Sequence, residues 1–270
     1  MQFAARTDRG RKRPTNQDSH YAAYAPPEKA ETHGHLFIVA DGMGGHAAGE
    51  VASRLATDVV RAEYYHAELS PGEDPAPALR AALEAANGRI LQEGERDPRR
   101  RGMGTTCTAV VVRGPRAWFA HAGDSRAYLC RGRMLRQITN DHNLAGALVA
   151  EGKLTLQEAT QHEGSHILTR ALGVREAVEI DVNRTSLELA PGDLLLLCSD
   201  GLIRVLADAD LEVILGAADI EAAADELIRS ANERGGPDNI TVVLVRIGSA
   251  GNGGTPPTAA NGPLDEAAAR

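Results

Sequence analysis

Three cysteines, Cys107, Cys130 and Cys198, are all the thiols in 270 residues, and they are odd in number and far apart. That spacing excludes a disulfide framework, CxxC redox chemistry and a Cys/His zinc cage. Each lies in an apolar stretch, so each is expected to be a buried free thiol. No segment approaches the roughly 18 apolar residues of a membrane span. The first residues carry Arg6, Asp8, Arg9, Arg11, Lys12 and Arg13 with no apolar stretch behind them, unlike a secretory leader. A soluble, cytoplasmic protein is expected. Positive charge is also short: 29 Lys and Arg stand against 37 Asp and Glu, giving a net charge of −8. Nucleic acid is therefore excluded as the main partner, because phosphate backbones are bound by basic surfaces. Gly42 to Gly45 lacks the Lys-Ser/Thr of a nucleotide P-loop, and no repeat at a solenoid period is visible.

What is present is a core and a set of aspartates. With 43 % hydrophobic side chains over this length, one large domain can be filled. Five aspartates sit in short motifs flanked by glycine, serine or asparagine: Asn16-Gln17-Asp18, Ala40-Asp41-Gly42, Gly123-Asp124-Ser125, Ser199-Asp200-Gly201 and Pro237-Asp238-Asn239. Alone, each is more often a turn former than a ligand. Asp41, Asp124 and Asp200 follow or end apolar runs, such as Leu36–Ala40 and Leu194–Cys198, that read as buried strands. Carboxylates at strand ends can converge, and two of them about 4 Å apart repel by roughly 4 kcal/mol at an effective dielectric near 20. Convergence therefore calls for a cation, and all-oxygen donors favour magnesium or manganese. Two ions could activate a water for displacement at phosphorus, and Arg13, with its planar fork, could hold the phosphate.

Along the chain, strands are expected at 2–5, 19–25 and 35–40, the first two forming a pair. Helical stripes follow over 49–69 and 76–92. From Thr105 to Thr139 the texture is that of an antiparallel meander, with Thr105 and Thr106 at its start and Trp118 and Phe119 in the core. The run Arg96, Arg99, Arg100 and Arg101 is either a solvated loop or a patch that steers phosphorylated substrate. A glycine-broken, alanine-rich stretch at about 143–165 reads as a flap with two short helices. Further strands are expected over 178–189, 193–198 and 239–247, and an amphipathic helix over 219–232. His33 and His35 alternate as on a strand and are expected to face solvent; Asp141-His142 reads as a structural turn. Residues 249–270 are too poor in apolar side chains to order, and a disordered tail is expected.

In series these motifs resemble the metal-dependent protein serine/threonine phosphatase family, the type 2C group, and most of all its compact bacterial branch. The resemblance covers residues 1–248, expected as one catalytic domain, and adds Gly102-Met103-Gly104-Thr105-Thr106, Leu168-Thr169-Arg170-Ala171-Leu172-Gly173 and Asn239-Ile240-Thr241. It implies an α+β fold, a four-layer α-β-β-α sandwich of two antiparallel sheets flanked by helix pairs. It also implies a phosphoserine/phosphothreonine hydrolase using Mn2+ or Mg2+, with two ions in the core site and a third, weaker one. By resemblance Asp41 bridges the pair, Asp200 and Asp238 complete the first ion, and the Gly42 carbonyl serves the second. Asp18 stands in the second ion's shell, and Asp124 with Asp200 holds the third. In-line attack by a metal-bridging hydroxide follows, with Arg13 on the phosphate. Many animal members have a histidine where Met43 stands, which leaves either His46 or a water as general acid. Implied partners are phosphorylated proteins made by a serine/threonine kinase, and a monomer is expected. The rival readings are a pseudophosphatase and a partner-switching regulator that binds metal and phosphoprotein.

Overall fold

The computed structural model describes residues 1–44, 48–160, 162–216 and 219–248. Alternation of side chains along its strands generates four layers. In β3 (His35–Met43), Leu36, Ile38 and Ala40 point to one face and Phe37 and Val39 to the other, and all five are fully buried. A strand apolar on both faces must be covered on both.

The outer face of β3 joins Ala109, Val111, Trp118 and Ala120, contributed by β5 (Cys107–Arg113) and β6 (Arg116–Ala122). Against it lie α1 (Ala48–His66) and α2 (Ala76–Arg96), whose buried stripes, such as Ala52, Ala56, Val60 and Tyr64, recur at helical spacing. The helix α2 stops where Asp97, extended at φ −118°, precedes Pro98. The sheet is completed by β2 (Asp18–Ala22), β4 (Gly104–Thr105), β9 (Asp181–Val182) and β10 (Leu187–Glu188). Its order is β10-β6-β5-β3-β2, with β4 on β3 and β9 on β6.

The second sheet runs β1-β12-β11-β7-β8, from β1 (Gln2–Asp8), β7 (Arg126–Arg131), β8 (Met134–Gln137), β11 (Leu194–Cys198) and β12 (Ile240–Arg246). Between the sheets, Phe37, Val39 and Val110 meet Leu129, Leu195, Leu197, Val243 and Val245. Each such burial contributes about 1.5–3 kcal/mol. The far face of the second sheet carries Leu196, Val242 and Leu244 under α5 (Asp200–Ile203), α6 (Asp208–Leu215) and α7 (Ile220–Glu233). This is the expected four-layer arrangement. The short helices α3 (Leu144–Ala150) and α4 (Leu156–Ala159) occupy the expected flap.

Four expectations are corrected. β1 does not pair with β2; it pairs with β12 along its whole length, Gln2 opposite Arg246 through Asp8 opposite Ile240. The meander is not one sheet, because β5 and β6 pair with each other while β7 and β8 belong to the opposite sheet. The chain crosses between layers at Gly123-Asp124-Ser125. Over 178–189 only the two-residue strands β9 and β10 form. His33 is buried at 1 % exposure, its ring held between the Thr32 hydroxyl and the Ala67 carbonyl, and His35 accepts from the Ala25 amide, so neither faces solvent freely. The three cysteines are free and buried, as expected. Arg99 and Arg100 are tied to Asp97 and Glu93. No helix among the described residues is long and apolar enough to cross a membrane. The expected tail at 249–270 lies outside the described residues.

Candidate active site

All five singled-out aspartates reach one cleft, each by a different route. Asp18 begins β2 and stands opposite Asp41 of β3 in the register. Asp124 lies on the crossover between sheets, Asp200 opens α5 directly after β11, and Asp238 precedes β12. Asp124, Asp200 and Asp238 are buried; Asp18 and Asp41 are half-buried. Asp41 feels the charges of the other four.

Asp41 is fixed from beneath by a threonine pair. Its amide donates to the Thr106 hydroxyl at 2.8 Å, and its carbonyl accepts from the Thr105 hydroxyl at 2.9 Å and the Thr106 amide at 2.9 Å. Asp18 is held from the opposite sheet: the hydroxyls of Ser199 and Thr241 each donate to its Oδ2 at 2.7 Å. The Thr241 oxygen in turn meets the Thr7 hydroxyl, whose oxygen accepts from Asn16. Sequence reasoning missed these hydroxyls. Thr241 carried a signal, a hydroxyl close after the Asp-Asn motif on a strand otherwise apolar up to Arg246.

Two close approaches require glycine. A Cβ on Gly42 would come 2.0 Å from the Gly49 carbonyl oxygen, so β3 and the start of α1 touch only because both positions lack one. Gly10, at φ +77°, lies over Asp238, where a Cβ would meet the carbonyl oxygen at 2.1 Å. Asn239 clamps the same loop, donating to the carbonyls of Arg9 and Thr15 and accepting from the Gln17 amide. Arg13, half-exposed on this loop, pairs with Asp238 Oδ2 at 2.7 Å.

Burial first, then mutual repulsion, raises the carboxyls. Asp18 is pushed up to about 7, its two hydroxyl donors pulling the other way. Asp124 is pushed up to about 8 by burial and by Asp200. Asp41 is driven far above the usual carboxylate range, and Asp200 is raised despite Arg204 beside it. Oδ1 of Asp18 and Oδ1 of Asp200 are buried without a hydrogen-bond donor. Buried anionic oxygens with no donor are costly unless a cation meets them. The donor set, all oxygen and all hard, fits magnesium or manganese. Even so, among the described residues no group of three or more His, Cys, Asp or Glu side chains forms a ready-made metal cage. Arg204 is forked across Asp200 and Asp238 instead.

Of the expected site residues, Asp18, Asp41, Gly42, Asp124, Asp200, Asp238 and Arg13 come together. His46 lies outside the described residues. Asp141 is structural, as expected, paired with Arg126 and Gln137. A cavity of about 530 Å3 opens from Asp124, Asp200 and Arg204 toward His162, Glu163 and His166 of the flap.

The family model described as protein phosphatase 2C matches residues 9–244. The chain is 40 % identical over 247 residues to the serine/threonine protein phosphatase PstP of Mycobacterium tuberculosis; the match covers 92 % of this chain but 45 % of that one. It is 38 % identical to the serine/threonine phosphatase stp of Listeria monocytogenes, covering 91 % of this chain and 95 % of that one. The PstP catalytic domain solved in complex with two manganese ions superposes with a TM-score of 0.77 at 39 % identity, over 92 % of this chain and 98 % of that one.

Proposed function

Because the chain belongs to the protein phosphatase 2C family, we propose that it hydrolyses phosphoserine and phosphothreonine esters in proteins with the help of manganese or magnesium. One observation carries the reading: carboxylates from five separate segments converge on a cleft in which two buried oxygens, on Asp18 and Asp200, lack donors.

Asp41, Asp200 and Asp238 would hold one ion; Asp41, the Gly42 carbonyl and Asp18 would serve a second; Asp124 with Asp200 suits a third. When bound, these ions supply Lewis acidity and a nucleophile at neutral pH. The chain's own residues do the rest. Thr105 and Thr106 fix the backbone of Asp41, so the carboxylate that would hold metal is preorganised. Ser199 and Thr241 keep one oxygen of Asp18 engaged and leave the other for the cleft. Arg13, half-exposed at the rim and paired with Asp238, would present its planar fork to the phosphate. Met43 cannot donate a proton, which leaves His46 or a water to protonate the leaving oxygen. Phosphoproteins produced by a serine/threonine kinase are the substrates this reading implies, in the cytoplasm.

The test is hydrolysis of a phosphothreonine peptide and a matched phosphotyrosine peptide, with Mn2+ and with chelator. Release of phosphate from the first, abolished by chelator, is the expected result. No release at any Mn2+ concentration would end the reading.

A further inference from the structure

Arg204 carries an inference that the family reading does not contain. It stands four residues after Asp200, one helical turn on, so both side chains leave the same face of α5. Its Nη2 pairs with Asp200 Oδ2, and its Nη1 pairs with Asp238 Oδ2 at 2.9 Å. The same Asp238 oxygen accepts from Arg13 at 2.7 Å. The carboxylates concerned are only 11 % and 12 % exposed, and Arg204 itself 27 %, so this is no solvated surface pair. Two carboxylates from different segments are thus arranged in the geometry of a guanidinium fork, and no three-ligand cage stands among the described residues.

We propose that Arg204 is the resident counter-cation of Asp200 and Asp238, displaced by the arriving divalent ion, so that metal loading is a cation exchange. The proposal rests on the reading of those two aspartates as metal ligands. Asp200 keeps Oδ1 free of donors, so the competition falls on Asp238, whose Oδ2 takes both guanidinium groups and whose Oδ1 accepts from the Asn239 amide. The displaced side chain would enter the adjoining cavity, whose wall includes Glu163 of the flap. Metal affinity is then the difference between two cation affinities. Without metal, the arginine limits repulsion among carboxylates that would otherwise be unpaired in low dielectric.

The experiment compares wild type, Arg204→Gln and Arg204→Lys by Mn2+ calorimetry and by melting with chelator. Arg204→Gln should bind Mn2+ at least roughly tenfold more tightly, about 1.4 kcal/mol. It should also melt lower without metal and gain more from Mn2+ than wild type does. Arg204→Lys keeps the charge without the fork and should fall between the two. A glutamine variant that binds Mn2+ with unchanged or weaker affinity would overturn the exchange, whereas a wild type that takes up no Mn2+ would overturn the ligand reading beneath it. Should the glutamine variant not fold, nitrogen NMR of the wild-type guanidinium decides. Hindered Arg204 signals should lose their protection as Mg2+ is titrated; signals unmoved at saturation would refute displacement.

Discussion

Asp18 stands directly opposite Asp41 in the antiparallel register of β2 and β3, so two carboxylates leave one face of one sheet as neighbours. Directly opposed residues keep their Cβ atoms about 4.5–5.5 Å apart, and like charges there are destabilising. The pair is nonetheless built in, because Ser199 and Thr241, from the opposite sheet, donate to Asp18 while Thr105 and Thr106 secure Asp41. In the metal-free protein burial and repulsion keep these carboxyls protonated, so the repulsion appears as they ionise with rising pH.

Above pH 8, where the neighbouring carboxyls have ionised, Asp41→Asn should therefore raise the melting temperature of the metal-free protein, while abolishing phosphatase activity. Each 1 kcal/mol of relieved repulsion corresponds to roughly 2–4 °C for a domain of this size. Calorimetry with chelator, beside a p-nitrophenyl phosphate assay with Mn2+, reads both effects. A variant that melts lower than wild type without metal would show that Asp41 is satisfied by its neighbours as it stands.

The raised carboxyls also set a pH dependence. Asp18 at about 7 and Asp124 at about 8 hold protons in the native state that the unfolded chain has released above 3.8. Native protein binds the more protons, so metal-free stability is fullest below pH 3.8 on this account and falls as pH rises through 7 and 8. Buried His121, lowered to about 4, acts in the opposite sense below 6.5, where the unfolded imidazole charges first. The clean window is thus pH 6.5–8. There the metal-free protein should lose up to about 1.4 kcal/mol per pH unit for each carboxyl titrating. Saturating Mn2+ should flatten or invert the slope, since its ligands must be deprotonated. Melting curves at four pH values with chelator and with Mn2+ measure this, and a flat metal-free profile would contradict the packing of charges described here.

Much of this was legible in the sequence because apolar runs, turn residues and aspartates carry local signals. The strands around Ile38, Val111, Leu196 and Val243 and the stripes of α1 and α2 follow from periodicity alone. What was not legible is where the chain changes layer. A tight turn at Gly114 and a crossover at Gly123 look alike in sequence, yet the first keeps β5 and β6 together and the second sends β7 to the other sheet. The pairing of β1 with β12 joins segments more than 230 residues apart, a contact no local pattern encodes. Arg204 escaped notice for a related reason. An arginine four residues after an aspartate reads as an ordinary exposed helix pair, and only Asp238, from another segment, turns it into a fork. Thr105 and Thr106 read as the start of a strand, because their hydroxyl partners lie on β3.

The loop that carries Arg13 supplies the last prediction. Asn239 makes two donations and one acceptance to that loop, to the Arg9 and Thr15 carbonyls and from the Gln17 amide, all at 2.8–2.9 Å. Arg13→Ala should raise KM for a phosphopeptide at least about tenfold, as expected when a charge-assisted pair of roughly 1.5–3 kcal/mol is lost, with Mn2+ affinity retained. Asn239→Ala leaves Arg13 in place but frees its backbone, so it should reproduce the rise in KM and add a stability loss of about 1–3 kcal/mol from the unpaired buried groups. Combining the two separates the roles. If Asn239 acts by positioning Arg13, the double variant should show no greater KM than Arg13→Ala alone, because the second change removes support from a side chain already gone. Additive effects on KM would instead assign Asn239 a contribution to phosphate binding independent of Arg13.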